Sequence, residues 1–257
     1  LTPWQLYRPE WGACSGVVVG ATCAGVSTLL DTLGHTAAHT GLVRVWTADP
    51  LGGAGLPAAG VYADCRAPDE TEILRVLVAA DRAAARMRIN AACGRSVHPI
   101  TPEAPMILIV ADEFDAVLAD RRAVELATRV ARVGRKAGVG FAVGLRELSA
   151  TAFGGSEVLR STLTAGNVVV LRMSTRGARV SLPTLTVDPV GLPPHPGFGA
   201  VAGRDEVFRG WHPGDGDVSE PTRDNPVEPA VVAVLGEDYA GRAGLSEFRP
   251  IPAGRQE

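Results

Sequence analysis

Met106-Ile107-Leu108-Ile109-Val110-Ala111 is an unbroken apolar run that stops abruptly at the paired acids Asp112-Glu113. Its length falls far short of the roughly 18–20 residues that span a bilayer. It also lacks the polar alternation of a strand with one wet face, so it reads as a strand buried on both sides, the habit of parallel sheets. Such a strand demands helices above and below it, and the rest of the sequence supplies them. Gly16-Val17-Val18-Val19-Gly20, Leu42-Val43-Arg44-Val45-Trp46, Val139-Gly140-Phe141-Ala142-Val143-Gly144 and Val168-Val169-Val170-Leu171-Arg172 are further strand-like runs. Leu29, Leu30 and Leu33 recur at helical spacing after the first of them. A long helix is expected from Asp69 to about Cys93, with Ile73, Leu74, Leu77, Val78, Ala84 and Met87 as its apolar positions, and Asp69 and Glu72 have the spacing of a capping box. A second runs from about Arg121 to Lys136 and should end on a glycine cap at Gly138. Strands alternating with helices imply right-handed crossovers and an α/β fold, a mostly parallel sheet with helices on both faces. Ligands of such sheets bind beyond the carboxyl ends of the strands.

With 46% hydrophobic and 21% charged residues among 257, the chain can bury a full core and is not intrinsically disordered. A net charge of −3 excludes overall charge as the driver of nucleic-acid or membrane binding, so any such contact must be local. Cys14, Cys23, Cys65 and Cys93 have no C-x-x-C spacing, which argues against a zinc ribbon or a disulfide framework and fits a reducing cytoplasm. The Gly/Ala/Pro stretch over 52–60 is expected to be loop. From about residue 183 proline, glycine and aspartate accumulate and helical periodicity fades. The expected organisation is one domain over 1–212, with 183–212 as ordered edge structure, and a Pro/Gly-rich tail over 213–257 in which the run at 230–235 could dock on a neighbouring domain. Leu1-Thr2-Pro3-Trp4 does not resemble a signal peptide. The chain is read as a cytoplasmic fragment of a longer protein, whose missing N-terminal region could carry a membrane anchor.

A strand, then Gly20-x4-Gly25-x-Ser27, then a helix is the frame of a phosphate-binding loop, G-x-x-x-x-G-K-[S/T], in which backbone N–H groups and a helix N-terminus cradle phosphates. The candidate nucleotide-binding residues are Gly20, Ala21, Thr22, Cys23, Ala24, Gly25, Val26, Ser27 and Thr28. Val26 stands where the motif has its lysine, and the chain's one lysine, Lys136, lies on a distant helix. Asp112 and Glu113 sit at the end of their strand, where Asp112 would hold Mg²⁺ together with the Ser27 hydroxyl and Glu113 would polarise the attacking water. A plainer reading makes 20–28 a tight turn and Asp112 a helix cap.

At this point the chain resembles the motor domain of FtsK/SpoIIIE-type DNA translocases, especially those of actinobacterial plasmid-transfer proteins and type VII secretion ATPases. The likeness covers about residues 12–210. It is carried by Gly20-Ala21-Thr22-Cys23-Ala24-Gly25-Val26-Ser27 (family pattern G-A-T-G-S-G-K-S), Asp49-Pro50-Leu51-Gly52-Gly53 (D-P-K-G-G) and Ile109-Val110-Ala111-Asp112-Glu113-Phe114. Gly134-Arg135-Lys136-Ala137-Gly138-Val139, which leads into a strand the family ends A-T-Q-R-P, and Ala165-Gly166-Asn167-Val168-Val169-Val170-Leu171-Arg172 complete it. The resemblance implies a RecA-like P-loop NTPase fold, ATP and Mg²⁺ as ligands, a homo-oligomeric ring such as a hexamer or a hetero-assembly with an intact ATPase domain, and double-stranded DNA as partner.

Departures from the family cluster at the chemistry. Val26 replaces the phosphate lysine, Cys23 a loop glycine, Leu51 the lysine of D-P-K-G-G and Arg146 the polar sensor glutamine. Without the P-loop lysine the charge of a phosphoryl-transfer transition state goes unneutralised. The expectation is therefore an FtsK/SpoIIIE-like module of a DNA translocation or transfer system that binds ATP weakly or acts as a pseudo-ATPase. The alternatives are an active translocase subunit rescued by Arg146 or by a neighbouring subunit, a type VII secretion-like module for protein interaction, and an unrelated α/β ligand-binding domain.

His35 and His39 have a metal-compatible spacing but no third ligand, and read as packing or surface residues. Arg122, Glu125, Arg129, Arg132 and Lys136 form a charged stripe, read as a solvated face with a subunit or DNA contact as the sharper alternative. Arg82, Arg86, Arg88 and Arg95 make a second basic concentration.

Overall fold

A computed structural model describes residues 4–176 and 182–210. The expected tail over 213–257, with its apolar run, lies outside the described residues. In chain order the elements are β1 (Tyr7–Arg8), β2 (Gly12–Ala13), β3 (Gly16–Val19), α1 (Val26–Ala38), β4 (Val43–Ala48), α2 (Ala59–Tyr62), β5 (Cys65–Ala67), α3 (Glu70–Ala83), α4 (Arg86–Ala92), β6 (Met106–Ala111), α5 (Phe114–Val117), α6 (Arg121–Ala137), β7 (Val139–Leu145), a 3-10 turn (Thr151–Phe153), α7 (Glu157–Thr164), β8 (Asn167–Leu171), β9 (Phe198–Val201) and β10 (Val207–Arg209).

The main sheet runs β10-β9-β8-β3-β7-β6-β4-β5. From β8 to β5 every pairing is parallel, and β9 and β10 extend the β8 edge antiparallel. Successive strand residues point to opposite faces, and here both faces are dry. Val17, Val19, Ile107, Ile109, Phe141 and Val143 pack with residues of α3, α5, α6 and α7, while Val18, Leu108, Val110 and Ala142 pack with Leu30, Ala37 and Tyr62 of α1 and α2. Double-sided burial is the reason these runs show no polar alternation, and each such aliphatic side chain contributes about 1.5–3 kcal/mol on leaving water. Among the described residues no helix is long and apolar enough to cross a membrane.

Capping sets the helix boundaries. Asp69 accepts the Glu72 amide at 3.0 Å, while Glu72 turns its carboxylate to Arg75 at 2.6 Å. Asp120 accepts the Arg122 amide at 2.6 Å, and Gly138, at φ 70, closes α6 as expected. The helix expected over 69–93 is instead two helices. The amides of Ala85, Met87 and Arg88 reach back only three residues, to Arg82, Ala84 and Ala85, so the spiral tightens between α3 and α4. That turn swings Arg86 inward, where it donates to the Pro105 carbonyl at 3.2 Å and is 4% exposed, which removes it from the basic surface concentration. The loop expected over 52–60 gives way at its end to α2.

Topology places β7 between the strand that enters the phosphate-loop sequence and the strand that ends in Asp112. The carboxyl ends of β3, β7 and β6 therefore form one shelf.

Candidate functional site

The loop between β3 and α1 is tied to the shelf at its start. The Gly20 amide donates to Leu145 O at 3.1 Å and the Ala21 amide to Arg172 O at 2.9 Å, so the ends of β7 and β8 fix where the loop leaves the sheet. Ala24 N–H closes a turn onto Ala21 O at 3.0 Å, and Gly25, at φ 100, redirects the chain into α1. A φ of this sign suits glycine. Cys23 also has a left-handed φ, 63, at the position where the family pattern has a glycine, which costs an ordinary side chain about 1–2 kcal/mol. Among the described residues the amides of Cys23, Gly25, Val26, Ser27 and Thr28 find no backbone acceptor. Unpaired N–H groups at the start of a 13-residue helix are an anion cradle.

Val26 is turned into the shelf. A Cβ on Gly20 would lie 3.0 Å from one Val26 methyl, and a Cβ on Gly144 would lie 2.9 Å from the other. The lysine position thus holds an apolar contact between the ends of β3 and β7. Gly144 also makes room for Asp112, whose Oδ1 would lie 2.8 Å from the same added Cβ.

Asp112 is 2% exposed, its side chain is hydrogen-bonded by the Ser27 hydroxyl, and its Oδ2 has no partner among the described residues. Burial holds this carboxyl above the usual carboxylate range. The Ser27 hydroxyl and the Glu113 amide oppose the shift, while the charges of Glu113 and Asp49 add to it. Oδ2 lies against the backbone of Gly55, where a Cβ would collide with it. That close approach is arranged by Asp49, which accepts the amides of Leu51, Gly55 and Leu56 at 2.9, 2.7 and 3.1 Å and folds the loop after β4 over the acid. Leu51, the departure from the lysine of D-P-K-G-G, projects outward at 59% exposure.

Glu113 adopts φ 44, a strained conformation for a side chain with a Cβ. Its Oε1 accepts from Arg146 Nη2 at 2.8 Å. Arg146 is thus paired with Glu113, its side chain 61% exposed. The pairing follows from proximity, because Arg146 leaves β7 one residue after Leu145 while Glu113 leaves the adjacent β6 just after Asp112.

A further wall has no short-range signature in the chain. The segment before β9 runs back to the loop, where Gly197 N–H donates to Ala24 O at 2.8 Å, and Gly210 N–H in turn donates to Gly197 O at 2.7 Å. A cleft of ≈ 600 Å³ opens there, lined by Gly25, Thr28 and Leu29 on one side and by Pro196, Gly197 and Arg209 on the other. Its size is that of a small-molecule site. His35 and His39 face each other with ring centroids 4.2 Å apart, and His35 also meets the Tyr62 ring edge at 6.0 Å. Among the described residues no group of three or more His, Cys, Asp or Glu side chains is placed to hold a metal ion by itself.

No protein-family model and no curated protein matches the chain. Solved structures do. The cytoplasmic domain of the type VII secretion ATPase EccC of Thermomonospora curvata is 22% identical over 90% of this chain and 29% of its own, with a TM-score of 0.61. The pCW3 conjugation coupling protein TcpA, in monomer form with ATPγS, is 14% identical over 77% of this chain and 60% of its own, with a TM-score of 0.63. ATPases 2 and 3 of EssC from Geobacillus thermodenitrificans are 17% identical over 95% of this chain and 47% of theirs, with a TM-score of 0.62. The chain spans less than two thirds of each. At these identities the agreement is one of fold: the chain has the mixed α/β architecture, with a mainly parallel central sheet, of these ATPase domains.

Proposed function

We propose that this domain is a nucleotide-binding module of a conjugation or type VII secretion system that holds ATP without efficient turnover. The observation that carries the reading is the packing of Val26 against Gly20 and Gly144, an apolar contact at the lysine position of a loop that keeps Gly20, Gly25 and Ser27. The Ser27–Asp112 pair, with its orphaned Oδ2, fits a divalent cation, so Ser27 and Asp112 are the residues that would hold Mg²⁺. That ion would neutralise phosphate charge when bound. The Glu113 carboxylate is engaged by Arg146, which commits one of its oxygens to a guanidinium rather than to water. A domain of this kind contributes by assembly, in a ring of its own copies or beside an intact ATPase domain, rather than by driving transport itself. The test is titration of the protein with a fluorescent ATP analogue and Mg²⁺, with phosphate release measured in parallel. Micromolar binding that Asp112→Ala weakens by about 10-fold, without release above background, is the expected result. No binding up to millimolar nucleotide, or steady turnover, would overturn it.

Double-stranded DNA is a second reading, favoured by one surface. Asp81 and Arg82 of α3 share a groove with Arg122, Glu125 and Arg129 of α6, and Arg132 and Lys136 continue the exposed stripe along the same helix. Arg129 is paired with Asp81 at 3.0 Å, whereas Arg82, Arg122, Arg132 and Lys136 have no acidic partner among the described residues. If these cations meet phosphates, the logarithm of DNA affinity should fall with the logarithm of salt at a slope of about −3 to −4, and Arg122→Ala/Arg132→Ala should flatten it by about two. Salt-independent or absent binding removes the reading.

A further inference from the structure

The cleft beside the phosphate loop contains a cation that neither the loop motif nor the acidic strand supplies. Arg209 is the last residue of β10, and its register partner on β9 is Phe198. The guanidinium lies over the Phe198 ring, 5.6 Å from its centroid, a stacking that restricts an otherwise exposed side chain. Arg209 has no carboxylate partner among the described residues, unlike Arg44, Arg129, Arg146 and Arg160, which are ion-paired. Its backbone position is set by the strap of hydrogen bonds from Gly210 to Gly197 and from Gly197 to Ala24, which joins the end of the edge hairpin directly to the loop. Arg209 and the first turn of α1 consequently line the same cleft.

We propose that Arg209 is the phosphate-binding cation of this site, replacing from the sheet edge the charge that Val26 cannot provide, and that the ligand of the cleft is a nucleoside polyphosphate. The proposal rests on the nucleotide reading above and goes further by naming the residue that recognises the phosphate chain. A guanidinium on that side meets phosphate oxygens through two parallel N–H donors, while the loop amides meet them from the other. Arg209 enters the cleft from β10, on the side of β3 opposite to β7 and β6 and thus away from the strand that ends in Asp112, whereas a P-loop lysine reaches the transferred phosphoryl from the loop itself. Binding without efficient turnover follows from that placement.

The test is titration of the full chain with fluorescent ATP, with competition by ADP and by adenosine, for the wild type, Arg209→Ala, Arg209→Lys and Arg209→Ala/Val26→Lys. Arg209→Ala should weaken ATP about 10-fold or more and leave adenosine competition unchanged. Arg209→Lys should fall between, because the bidentate fork is lost, and adding Val26→Lys should recover most of the ATP affinity. Melting temperatures unchanged from wild type show that the exposed substitution leaves the fold intact. ATP binding by Arg209→Ala equal to that of a binding-competent wild type overturns this proposal alone. An equal loss of ATP and adenosine also overturns it, by making Arg209 a base contact. A wild type that binds no nucleotide overturns this proposal and the nucleotide reading together.

Discussion

Val26→Lys is expected to tighten ATP binding in the presence of Mg²⁺ by about 10- to 100-fold. The amides of Gly25 to Thr28 are already without acceptors and the Ser27–Asp112 pair is already formed, so what the substitution adds is a compact positive charge. Two unit charges about 4 Å apart at a protein surface attract by about 4 kcal/mol, and desolvation and side-chain ordering remove about half of that. The remaining 1.4–2.8 kcal/mol corresponds to the stated range. Val26 is only partly buried, and the methylenes of a lysine can cover the same contact with Gly20 and Gly144 while the ammonium reaches outward. The fold should therefore lose no more than about 1 kcal/mol. Turnover is a separate matter, because Glu113 remains bonded to Arg146 at 2.8 Å. Val26→Lys alone should raise affinity with little phosphate release, whereas Val26→Lys/Arg146→Gln, which also frees Glu113, should release phosphate measurably. An unchanged affinity in a folded Val26→Lys protein would mean that the loop does not receive phosphates.

The layered fold was readable because buried parallel strands lose polar alternation, and Met106 to Ala111 and Val139 to Leu145 are buried throughout. The turn between β3 and α1 and the end of α6 were readable because glycine marks left-handed backbone, as Gly25 at φ 100 and Gly138 at φ 70 show. What stayed hidden depends on contacts distant in sequence. β5 is too short and too polar to announce itself, and it forms by pairing with the end of β4. The tightening between α3 and α4 has no glycine or proline to mark it and is accompanied by the bond from Arg86 to Pro105. Asp49 reads as a turn residue, yet its three accepted amides bring Gly55 against Asp112. Arg146 reads as free to approach the loop, but a guanidinium pairs with the nearest anion, and strand order brings Glu113 within reach. Arg209 lay in a segment read only as edge structure, and no short-range pattern connects it with a loop so distant in sequence.

Phe141→Ala is expected to destabilise the domain by about 3–5 kcal/mol, lowering the melting temperature by roughly 6–20 °C for a domain of this size. Phe141 is 1% exposed in the strand between β3 and β6, so its ring fills the layer beneath α5 and α6 and the surroundings cannot collapse into the space without moving the sheet. It meets the Phe114 ring at 6.1 Å and an interplanar angle of 53°, adding an edge contact to the buried area. Phe114 directly follows the strained Glu113, so the ring contact anchors the residue next to the acidic turn. Loss of the ring should therefore weaken nucleotide binding beyond the effect of global unfolding, measured well below the melting temperature. Phe141→Leu keeps most of the volume and should cost less than about 1.5 kcal/mol. Trp11, also a large aromatic but 56% exposed and stacked with Arg8, should lose within about 0.5 kcal/mol on truncation to alanine. Chemical denaturation separates the three: a midpoint for Phe141→Ala close to that of Trp11→Ala would place the ring outside the core and remove the support proposed here for Glu113.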